Sequence, residues 1–121
     1  MTDLSDRRKE ARKVVMAFTL VYENGKILGY LRDLTLKGAQ VNGEKTLEVD
    51  THTSLSIELP DELPGVTMKR LTVPARVARC VREKDSATSY EIGFEFSTLQ
   101  PEQVDVIEKL LERYHFRHKL Y

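Results

Sequence analysis

Three arginines and two lysines stand between positions 7 and 13: Arg7, Arg8, Lys9, Arg12 and Lys13, with Glu10 the only carboxylate among them. Guanidinium groups offer planar forks of donors to phosphate and carboxylate, so this cluster is chemistry for holding an anion. The net charge of the chain is +0, so the positive charge is local and an anion site here needs no basic protein around it. The same balance argues against a nucleic-acid polymer bound through bulk positive potential. Arg8 and Arg12 form R-x-x-x-R, and further on Asp33, Thr35 and Gly38 form D-x-T-x-x-G. The second motif brings an acceptor carboxylate, a hydroxyl, and a residue whose missing side chain permits unusual backbone or close approach. Taken singly, each pattern is common: a charged tail is ordinarily a solvated arm, and D-x-T-x-x-G is ordinarily a turn.

The elements that must position these residues read as mainly β. The chain has 121 residues, 40% hydrophobic and 31% charged, which fits one domain. Residues 1–13 carry no apolar periodicity and read as an exposed arm; 14–121 read as the folded domain. An apolar run from Val14 to Tyr22 leads into Asn24-Gly25, a hairpin signal, and then Ile27 to Leu31. A second hairpin is expected around Asn42-Gly43, between Ala39–Val41 and Thr46–Val49. Leu55, Ile57 and Leu59 alternate with polar residues, as do Tyr90, Ile92, Phe94 and Phe96, so both segments predict half-buried strands. Leu71 to Val81 predicts a long strand with an edge or bulge near Pro74. Short strands at this spacing suggest a barrel or sandwich. From Pro101 the period changes: Val104, Ile107, Leu110, Leu111 and Tyr114 recur at three and four residues, which predicts an amphipathic helix over about 101–118.

Together, R-x-x-x-R at Arg8 and Arg12 and D-x-T-x-x-G at Asp33, Thr35 and Gly38 resemble the two signature motifs of the PilZ family, in the family's order and at a compatible separation. Gly93-Phe94-Glu95-Phe96 is similar to the family's G-x-x-F strand. The resemblance covers nearly the whole chain and implies a six-stranded antiparallel β-barrel of split-barrel type, preceded by the arginine arm and followed by a C-terminal α-helix. It implies a non-catalytic receptor for cyclic di-GMP, with Arg7, Arg8, Arg12, Asp33, Thr35 and Gly38 as ligand-binding residues and no cofactor. The departure is Thr35, where the family usually has serine; the hydroxyl is kept, and a methyl group and a stiffer torsion are added. For such a ligand, arginine can hold phosphate, stack on a purine or fork onto guanine O6 and N7, while a carboxylate accepts from the opposite base edge. The resemblance also implies that Arg7 bears on whether one ligand or a stacked pair is held. The alternative is an adaptor of the same fold that binds no nucleotide and acts only through protein contacts.

The remaining candidates are weaker. His115 and His118 sit three apart with no third ligand in view, so no metal site is assigned. His52 has no nucleophile pattern nearby, and Cys80, the only cysteine, reads as a small packed hydrophobe. No paired acid and base and no phosphate-cradling glycine loop points to an enzyme. The polar N-terminus and the lack of a run of about 20 apolar residues predict a cytoplasmic protein with no membrane insertion, and a receptor of this kind predicts a downstream protein partner.

Overall fold

A computed structural model describes residues 14–16 and 18–116. Strand β1 (Val14–Met16) is followed by β2 (Leu20–Glu23), β3 (Lys26–Leu34), β4 (Gly38–Gly43), β5 (His52–Glu58), β6 (Arg70–Arg82) and β7 (Tyr90–Phe96). Helix α1 (Pro101–Arg113) and strand β8 (Tyr114–Phe116) complete the order. Six strands close into a barrel in the order β2-β3-β4-β7-β6-β5, every pair antiparallel. Closure leaves no free sheet edge along the paired strands.

The first hairpin is the one the Asn-Gly signal predicts. Asn24 and Gly25 have φ of 49° and 83°, the left-handed pair that a two-residue turn between Glu23 and Lys26 requires. The second hairpin lies elsewhere. Asn42 and Gly43 are inside β4, paired with Tyr30 and Gly29 on one side and Glu91 and Tyr90 on the other, and Thr46–Val49 form no strand. The chain reverses at Thr35–Lys37 instead, between β3 and β4. Pro74 sits where β6 is locally an edge: its carbonyl accepts the Ser97 N–H at 2.9 Å, beyond the last β6–β7 pair at Ala75 and Phe96. A missing donor there interrupts no ladder bond.

Alternating inward residues fill the barrel: Val21, Leu31, Val41, Leu55, Ile57, Leu71, Val73, Val77 and Ile92 are each 0–1% exposed. Helix α1 adds Val106, Ile107 and Leu110 to the same core. Its N-terminus is fixed by the Gln100 N–H donating to Gln103 Oε1 at 2.7 Å, while Gln103 Nε2 donates to the Thr72 carbonyl at 2.9 Å and ties the helix to β6. The helix is shorter than its apolar stripe suggests. It stops at Arg113, because Tyr114–Phe116 turn into extended backbone and pair in parallel with Val14–Met16, burying Phe116. Among the described residues no helix is long and apolar enough to cross a membrane.

Candidate functional site

The β3–β4 reversal is held by Thr35. Its Oγ1 accepts from the backbone N–H of Lys37 at 3.1 Å and of Gly38 at 3.2 Å, and lies 3.4 Å from the Gly38 carbonyl, to which it donates. The Thr35 N–H donates to that same carbonyl at 2.9 Å. A hydroxyl used in this way shapes the turn, and either serine or threonine can supply it. Gly38 is required by contact: a Cβ there would lie 2.0 Å from the Phe94 carbonyl oxygen, so only a glycine lets β4 approach β7 at this point. Asp33, just before the turn, accepts the Leu34 N–H at 2.9 Å through Oδ1 and has no ion pair among the described residues.

Cross-strand partners share a face, so the buried pairs of the barrel fix which residues look outward. Val77 and Phe94 point in, as do Val41 and Ile92. Between them runs an outward row: Asp33 pairs with Gln40, Gln40 with Gly93, and Gly93 with Arg79, crossing β3, β4, β7 and β6. The next row holds Gly38, Glu95 and Arg76. Two bulges set this phase. The register shifts between Leu31 and Asp33 and again between Val77 and Arg79. Leu31 and Val77 are buried, and unbroken alternation would turn the second residue after each of them, Asp33 and Arg79, into the core. The extra residues, Arg32 and Ala78, re-aim both charges to the surface.

The rows frame an open cleft of about 280 Å³ lined by Asp33, Thr35, Gly38, Gln40, Gly93 and Glu95, with Lys37 on its rim. Its floor at Gly93 is bare, since a Cβ there would meet only the Arg79 Cβ, at 3.5 Å. Glu95 is engaged by Arg76 Nη2 at 3.3 Å, and Arg76 Nη1 also holds Asp50 at 2.6 Å. Lys37 and Arg79 make no ion pair among the described residues.

The structure thus brings Asp33, Thr35 and Gly38 together at one end of a cleft, while Arg7, Arg8 and Arg12 lie outside the described residues. The register does show which way the chain leaves β2. Leu20 pairs with Tyr30, and the Leu31 N–H donates to the Thr19 carbonyl at 2.8 Å, so the chain before Leu20 runs along β3 toward its Asp33 end. Gln40, Lys37 and Arg79 were not singled out by sequence; Arg79 depends on a bulge and a long-range pairing that carry no local signal. Among the described residues no group of three or more His, Cys, Asp or Glu could hold a metal ion. His115 is exposed on β8, His118 lies outside the described residues, and Cys80 is partly buried against the core.

A family model for the PilZ domain matches residues 6–116, which take in the arginine pair, the Asp33 turn, the whole barrel and the helix. No curated protein and no solved structure matches the chain. PilZ domains form a receptor and effector family known for binding cyclic di-GMP, and not a family of enzymes. With nearly its full length matched, the chain belongs to the PilZ domain family.

Proposed function

We propose that this PilZ domain is a receptor for cyclic di-GMP, acting by binding and without catalysis. The observation that carries the reading is Asp33: a bulge turns its carboxylate outward onto the rim of an open cleft, where it has no ion-pair partner among the described residues. An acceptor so placed suits the adjacent N1 and N2 donors on one edge of guanine. Arg8 and Arg12, with Arg7 beside them, supply the phosphate and stacking contacts from the arm. The direction of the chain before Leu20, toward the Asp33 end of β3, supports that meeting. In this reading Thr35 and Gly38 act by position: the hydroxyl holds the turn and the glycine lets β4 lie against β7, so Asp33 stays at the rim.

Closing a charged arm over a dianionic ligand orders residues 1–13 and changes the surface that a protein partner meets, which is the signal in this reading. The receptor would meet ligand and partner in the bacterial cytoplasm.

Isothermal titration of the full chain with cyclic di-GMP tests the proposal. Saturable binding is expected, weakened at least a hundredfold by joint Arg8→Ala and Arg12→Ala substitution. Unchanged affinity in the double variant would remove the clamp assignment. A wild-type protein that gives no heat, yet retains a stable protein partner, would favour the adaptor reading.

A further inference from the structure

Strand β6 outruns one of its two partners. It pairs with β7 as far as Arg82 but with β5 only as far as Arg76. Bonding on the β5 side ends at Val77, whose N–H donates to the Thr51 carbonyl at 2.9 Å and whose carbonyl accepts the Asp50 N–H at 2.7 Å. We infer that residues 80–82 form an open strand edge that takes an extended acidic segment of a partner protein as an added strand. The inference does not depend on what the cleft binds.

In an antiparallel ladder alternate residues bond to the partner strand, and those between them turn their N–H and C=O the other way. The Glu83 N–H donates to the Ser89 carbonyl at 2.8 Å, and counting back along the pairing puts Val81 with Glu91 and Arg79 with Gly93 in the same bonded phase. Cys80 and Arg82 therefore each hold a donor and an acceptor toward the side where no described strand pairs with them. Groups two residues apart on an edge match the repeat of an extended peptide. The side chains select which peptide. Arg79 and Arg82 are exposed and make no ion pair among the described residues, and Val81 between them is 45% exposed. Charges and a bulge on an edge ordinarily keep a sheet from pairing with its own kind, and a second copy would set these arginines against their equals. The ends of this chain outside the described residues carry the same sign: residues 1–13 have five cations against three carboxylates, and residues 117–121 have Arg117 and Lys119 with no carboxylate side chain. A segment of another protein, with carboxylates to meet the arginines and an apolar residue to cover Val81, fits the edge.

The test is an amide NMR titration of the full chain with an acetylated, amidated peptide of alternating glutamate and valine. Saturable shifts centred on the Cys80 and Arg82 amides are expected. Affinity is expected to fall at least tenfold for the same peptide methylated on its backbone nitrogens, which keeps the charge and cannot donate to the edge, and for a peptide of alternating lysine and valine. A joint Arg79→Glu and Arg82→Glu variant, first checked for an unchanged melting temperature, is expected to lose at least tenfold as well; if it does not fold, the two control peptides on the wild type decide. No shift at Cys80 and Arg82 would overturn the inference. So would equal binding of the methylated peptide, which signifies charge attraction without strand pairing, or equal binding of the lysine peptide or by the double variant, which signifies no selection for acid. Concentration-dependent shifts at the same amides without peptide would give the edge to a second copy and overturn it too.

Discussion

Two neighbouring rows on the barrel surface are built from similar residues and end in opposite states. In the row through Tyr30, Asn42 and Glu91, the β6–β7 loop reaches over Asn42. Asn42 is only 6% exposed: its amide nitrogen donates to Glu83, its oxygen accepts from Ser89 Oγ at 2.9 Å, and Ser89 Oγ also reaches Glu83 at 3.2 Å. Arg32 joins the network, 3.1 Å from Glu83 and 3.6 Å from Glu91. Two residues along the strands, the row through Asp33, Gln40, Gly93 and Arg79 has no roof, and the charges at its ends have no ion-pair partners among the described residues. Polar groups that complete one another hold a loop down. Polar groups left incomplete around a bare floor are what a ligand can complete.

The largest effect is expected where the open row depends on close backbone packing. Gly38→Val drives a side chain into the Phe94 carbonyl and should cost about 3 kcal/mol or more, read by urea unfolding, with ligand affinity lost alongside. The two rows then separate by paired substitutions. Glu83→Ala removes the partner of Asn42, Ser89 and Arg32 and should cost about 1–2 kcal/mol of stability, while cyclic di-GMP affinity in titration stays within twofold. Asp33→Ala should do the reverse, lowering affinity at least tenfold with a stability change under about 1 kcal/mol. If Glu83→Ala weakened binding as much as Asp33→Ala, the distinction between a structural row and a ligand row would fail. The smallest effect belongs to Thr35. Thr35→Ser keeps the hydroxyl and should change stability by less than about 0.5 kcal/mol, whereas Thr35→Ala leaves the Lys37 and Gly38 amides short of their acceptor and should cost about 1 kcal/mol in the same unfolding measurement.

Much of this was legible in the sequence because it is local. The Asn24-Gly25 turn, the alternation of β5 and β7, the span of β6 and the start of α1 all follow from residue types within a few positions of each other. Asn42-Gly43 misleads for the opposite reason. It carries a turn signature, yet Asn42 serves a polar network with residues more than forty positions away, and a Cβ on Gly43 would crowd the Leu28 carbonyl at 2.9 Å. The burial of Leu28, Leu31 and Leu34 at intervals of three fits no regular strand, and it is absorbed by register shifts that pairing alone reveals. The near end of the site, Asp33 to Gly38, was visible as a motif. The pairing of Gly93 with Arg79 was not, because it arises only through the Ala78 bulge. The end of α1 was missed because the partner of Tyr114–Phe116 is at the other end of the chain.

That last pairing has a mechanical consequence. Val14–Met16 directly follows the arginine segment in sequence, and β8 is the direct continuation of α1, so the first and last described strands are stitched side by side with Phe116 anchored in the core. Tension applied to the arm acts first on this short parallel seam, and through it on the last turn of the helix. In the receptor reading, a pull on the arm would load this seam, the barrel strand β3 that β8 also touches, and the end of the helix together.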